Sequence, residues 1–132
     1  MDKLLNNGQF WQKIDSLLLS LEYQKVVDKN SAHPNYPSLV YPLEYGFLCD
    51  GNEKFKKVCG VFKGSLDTMN CDCLIICCDL LLTELDVKLL VGCSEEDKKS
   101  CLAFLNGITF QKTILVERSD DVPEWAIGDN YE

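Results

Sequence analysis

Histidine is nearly missing from this chain: His33 is the single one in 132 residues. A structural zinc site with two histidines therefore lacks a ligand, and no pair of CxxC knuckles points to a cysteine-rich one. Basic residues are in the minority too, 13 Lys and Arg against 21 Asp and Glu, a net charge of −8. Such a surface repels nucleic-acid phosphates and anionic lipid, so no nucleic acid is expected as a partner and cations are the more natural ones. Long apolar runs are also wanting, since nothing approaches the roughly 20 residues of a membrane-spanning helix; no membrane partner is expected. The opening MDKLLNNGQFWQKID lacks the basic-then-apolar order of a secretory signal, which predicts a cytoplasmic protein.

Cysteine, by contrast, is plentiful. Eight are present, at positions 49, 59, 71, 73, 77, 78, 93 and 101, several inside apolar runs. In a reducing compartment these read as small core residues rather than disulfide partners, with zinc binding as the sharper alternative. The length suits one domain with a real core.

Phe10, Trp11, Ile14, Leu17, Leu18 and Leu21 recur at steps of three and four, which predicts an amphipathic first helix packed on a sheet. Strand candidates follow at 25–28, 39–41, 45–48, 58–62, 71–82, 87–93 and 110–116, the 71–82 run being apolar enough for the centre of a sheet. Pro42 bends the chain between two of them. The proline-dense segment 31–37 reads as a rigid loop. Ser94 followed by Glu95, Glu96 and Asp97 marks a helix start, and Asn106-Gly107 its end. The whole is an α+β domain over 1–117, with an acidic tail at 118–132 whose Val122, Trp125, Ile127 and Tyr131 could anchor it, on this chain or on a second copy in a homo-oligomer.

One stretch carries more specific information. Tyr41-Pro42-Leu43-Glu44-Tyr45-Gly46, preceded by Ser31-Ala32-His33-Pro34 and followed later by Asp86-Val87-Lys88-Leu89-Leu90-Val91-Gly92, resembles the YPxxYG stretch and the later Asp-x-Lys strand of family I soluble inorganic pyrophosphatases, the short bacterial forms in particular. Order and length agree from about Phe10 to Ile114.

The resemblance implies an OB-like, five-stranded mixed β-barrel with two flanking helices. It also implies Mg2+-dependent hydrolysis of pyrophosphate to phosphate. Magnesium is a hard octahedral ion that takes oxygen ligands, so a site holding several must concentrate carboxylates. The ions activate water and neutralise phosphoryl charge while lysine and tyrosine position the phosphate. Carried over residue by residue, Tyr41, Tyr45 and Lys88 take catalytic roles. Lys29, with Tyr41 and Lys88, binds phosphate, and Asp28, Asp50, Asp79 and Asp86 hold metal. The two-residue period of a strand puts Asp86 and Lys88 on one face.

The chain also departs from the family. The aspartate signature expected after the tyrosines reads Asp50-Gly51-Asn52-Glu53-Lys54-Phe55-Lys56-Lys57-Val58-Cys59. Cys59 falls in the place of the last aspartate, and a thiol is a poor magnesium ligand. Lys54, Lys56, Lys57 and Lys63 could bind a phosphate or nucleotide directly, or form a solvated loop. His33 is either an acid or base, or a hydrogen-bonding loop residue. The alternative expectation is thus a non-catalytic pyrophosphatase-fold protein that binds a phosphorylated small molecule or a protein partner.

Overall fold

The computed structural model describes residues 7–33, 36–51, 56–81, 83–108 and 111–118. The order of elements is α1 (Asn7–Ser20), β1 (Glu22–Val27), β2 (Ala32–His33), β3 (Tyr36–Val40), β4 (Glu44–Asp50), β5 (Lys56–Lys63), β6 (Cys71–Asp79), β7 (Glu84–Val91), α2 (Glu95–Asn106) and β8 (Gln111–Glu117). Six strands form one sheet in the order β1-β4-β5-β7-β6-β8, and β2 and β3 pair separately. All pairings are antiparallel except β5 with β7, which the β6 strand makes possible by carrying the chain back between them. The α+β class is as expected. The sheet, however, has six strands rather than five and is open: β1 and β8 are its edges, and no pairing closes it into a barrel among the described residues.

Alternation along the strands divides the core in two. On β6, Cys73, Ile75 and Cys77 point to one face with Tyr45, Phe62 and Leu90, where Cys101 and Leu105 of α2 cover them. Leu74 points to the other face with Leu48, Val61 and Leu89, under Trp11 and Ile14 of α1. Burying strands on both sides is why 71–79 reads as a nearly continuous apolar run. The strand stops at Asp79 rather than at 82, and Leu80 and Leu81 turn out into solvent. The 31–37 segment is not a plain loop, because Ala32 pairs with Val40 and His33 with Tyr36 in a small hairpin.

Two local devices fix α2. Asp97 and Ser94 form a reciprocal capping box, and Asp97 Oδ2 also accepts from the backbone and hydroxyl of Ser65, both at 2.8 Å. Burial alone would raise the Asp97 pKa; these hydrogen bonds outweigh it and lower the pKa. Lys98, buried, bridges Glu95 and Glu117 at 3.0 Å each and ties the helix to β8. Gly92, at φ +61°, makes the turn between β7 and α2, where a Cβ would lie 2.5 Å from the Thr68 carbonyl. On the opposite face Arg118 lies over the Trp11 ring, pairs with Asp15 and donates to the Cys71 carbonyl. All eight cysteines are free thiols. The tail beyond Arg118 lies outside the described residues.

Candidate functional site

The centre of interest is where β4, β5 and β7 lie side by side under the aromatic end of α2. Lys88 pairs in register with Gly60 on one side and Ile75 on the other, and its side chain rises on the α2 face. Its ammonium donates to Tyr45 Oη and to Asp86 Oδ2, both at 2.8 Å, and lies 5.1 Å from the centroid of the Tyr45 ring. Asp86 stands two residues before Lys88, as strand periodicity requires. Tyr45 packs at 4.7 Å from Phe62, 5.4 Å from Phe47 and 5.5 Å from Tyr41, whose ring lies 4.9 Å from Phe104.

The electrostatics follow from burial against pairing. Burial raises the Tyr45 pKa although Lys88 opposes it, and burial likewise raises that of Tyr41. Both phenols are therefore neutral donors at ordinary pH. Burial pushes the Lys88 pKa down, but the oxygens of Tyr45 and Asp86 more than reverse this, so the group stays charged. Tyr45 Oη accepts from Lys88, so its own proton remains to be given to a ligand oxygen. The result is a cation and two phenols in an aromatic wall, a geometry suited to holding an oxyanion.

Gly60 explains how Tyr45 reaches Lys88. A Cβ on Gly60 would lie 2.3 Å from Tyr45 Oη, so the phenol occupies the space a side chain would fill. Cys59 is the residue before Gly60 on β5. That thiol packs against the α1 core, on the opposite face of the sheet, and the β5 position facing Tyr45 and Lys88 belongs to Gly60. The reason is strand alternation together with a register shift between Leu48 and Cys49, which decides which β5 residue meets the site.

Of the residues expected to act together, Tyr41, Tyr45, Asp86 and Lys88 do gather. Asp79 lies on the same face as Asp86, one diagonal step away, since Cys77 is the residue opposite Asp86 and Asp79 is opposite Glu84; its Oδ1 accepts from the Leu81 backbone at 2.9 Å. Asp50 ends β4, two strand spacings or roughly 10 Å across the sheet from β7 and further along it, and by alternation from Leu48 it falls on the α1 face rather than that of Asp86. Asp28, just beyond β1, pairs with Lys25 at 2.6 Å and is exposed. Lys29 lines a cleft of about 520 Å³ with Asn30, Pro42 and the first turn of α2, apart from Lys88. The lysine cluster disperses: Lys63 is bound by the carbonyls of Gly64 and Leu66, and Lys57 lies over Phe47 at 4.3 Å. Lys54 is outside the described residues.

Known proteins add no second line of support. Comparison with protein-family models, curated proteins and solved structures found no match for this chain.

The several magnesium ions that the resemblance implies do not fit the described residues. One carboxylate among the described residues, Asp86, pairs with Lys88, and its Oδ2 is engaged by the ammonium. Among the described residues no three His, Cys, Asp or Glu side chains come together in a group able to hold a metal ion. Sequence reading missed Gly60 and Phe47. The glycine within a strand pattern was the available signal, because such a residue marks a close approach.

Proposed function

We propose that this chain is a pyrophosphatase-like protein that binds a phosphorylated small molecule through Lys88, Tyr45 and Tyr41 without multi-metal hydrolysis. The observation that supports this reading is the Lys88 Nζ–Tyr45 Oη contact at 2.8 Å, with Asp86 the one carboxylate among the described residues that pairs with the same ammonium. In this reading a phosphoryl oxygen takes over the ammonium from Asp86, whose side chain is about half exposed and can swing into solvent. The two phenols donate to the remaining oxygens. A neutral tyrosine and a charged lysine are the protonation states such binding needs, and burial and pairing supply both. Hydrolysis would require metal-activated water, and among the described residues no group of three His, Cys, Asp or Glu side chains gathers to hold the metal. The homo-oligomer expectation rests on tail residues that lie outside those described.

The two readings give opposite signs at Asp86. If Asp86 competes with phosphate for Lys88, Asp86→Asn strengthens magnesium-free pyrophosphate binding severalfold, because a repelling charge at contact distance is removed. If Asp86 is a catalytic metal ligand, the same variant instead abolishes magnesium-dependent phosphate release. Isothermal calorimetry in EDTA and a phosphate-release assay, run on the wild type and the variant, separate them. Wild-type turnover that disappears in Asp86→Asn would establish the hydrolase and overturn the binding-only reading.

A further inference from the structure

A bare phosphate does not account for the rings that lead away from Lys88. Starting from the ammonium, the Tyr45 ring is followed by Tyr41 at 5.5 Å, His33 at 6.0 Å and Tyr36 at 5.1 Å. The His33 and Tyr41 rings are stacked, their planes 23° apart. Burial falls along the row. Tyr45 is 8% exposed, Tyr41 and His33 are intermediate, and Tyr36 is 59% exposed. The β2–β3 hairpin has no role in the main sheet, yet it pairs His33 with Tyr36 in register and so holds both rings at the outer end of the row.

From this row we infer that the ligand is a nucleoside phosphate, its phosphoryl group at Lys88, Tyr45 and Tyr41 and its base against His33 and Tyr36. The inference rests on the phosphate-binding reading above and extends it to the rest of the molecule bound. Pyrophosphate has no planar apolar face and gains nothing from an exposed tyrosine, whereas a base stacks on an aromatic ring whatever its sequence identity. A base also suits an acidic chain, since it brings contact area without further negative charge. Tyr36 then acts as a specificity-determining residue, selecting phosphates that carry a ring over those that do not.

The test uses the full chain in EDTA, with ADP, pyrophosphate and adenosine as probes, followed by calorimetry or by quenching of tyrosine fluorescence. ADP is expected to bind at least five-fold more tightly than pyrophosphate, the lower end of what one stacked base contributes. Tyr36→Ala should erase that advantage and leave pyrophosphate binding unchanged; the side chain is exposed, so the fold does not depend on it. Equal affinity for ADP and pyrophosphate would overturn the inference and leave the phosphate reading standing. Adenosine binding as tightly as ADP, or no binding of any probe, would overturn both.

Discussion

Alkali is the perturbation to which this fold should be most sensitive. Cys71, Cys73, Cys77, Cys93 and Cys101 are buried, and burial is the largest cause raising each thiol. Cys71, Cys73 and Cys93 are pushed up to about 12, Cys77 to about 11, and Cys101 is raised as well. In the unfolded chain the same thiols ionise near 8.5. The native state therefore holds protons that the unfolded state gives up, so stability is intact below about pH 8.5 and falls as pH rises toward the folded values. By pH 9.5 each buried thiol costs on the order of 1 kcal/mol and the five together several kcal/mol, a large part of the stability of a small domain. The assay is tryptophan fluorescence and far-UV circular dichroism against pH in reductant, with urea midpoints at each pH. Cys73→Ala should lower stability at neutral pH while making the loss with pH shallower by about one proton. An unchanged urea midpoint between pH 8 and pH 10 would refute the reasoning.

Two further outcomes follow from packing. Gly60→Ala should drive the Tyr45 phenol from its place, costing on the order of 1–3 kcal/mol and abolishing phosphate binding; adding Tyr45→Phe should recover part of the stability and none of the binding, as denaturant midpoints and calorimetry would read. Asp97→Ala removes the acceptor for Ser65 and Ser94 and should cost about 1–3 kcal/mol at pH 7. Because the folded pKa of Asp97 is lowered, its contribution is present above about pH 4 and is lost as pH falls through the folded value. Acid titration of wild type and variant should then converge, and a constant difference down to pH 2 would contradict this.

How much of this was legible depends on whether the signal was local. Ser94-Glu95-Glu96-Asp97 specifies a helix start within four residues, and α2 begins there with its capping box made. The α1 stripe is local as well: Trp11 and Ile14 are buried, with Phe10, Leu18 and Leu21 packed beside them, although Leu17 ends at the exposed rim. Asp86 and Lys88 share a face because strand periodicity alone demands it.

What was not legible depended on partners distant in sequence. The facing of Cys59 and Gly60 is decided by a register shift between β4 and β5, and the parallel pairing of β5 with β7 by a crossover through β6. Sequence order likewise could not tell that Asp28 and Asp50 would end up at separate strand ends while Asp79 and Asp86 share one surface. The hairpin at 31–40 was obscured by its prolines, which usually mark loops.

The central claim, that Lys88 and its two phenols hold a phosphate without metal, is tested most directly by phosphorus-31 NMR titration of pyrophosphate in EDTA against wild type, Tyr41→Phe and Lys88→Gln. The account predicts a saturable shift with the wild type, weakened several-fold by Tyr41→Phe and lost in a folded Lys88→Gln. A shift that appears only when magnesium is added, or one that persists undiminished in both variants, would contradict it.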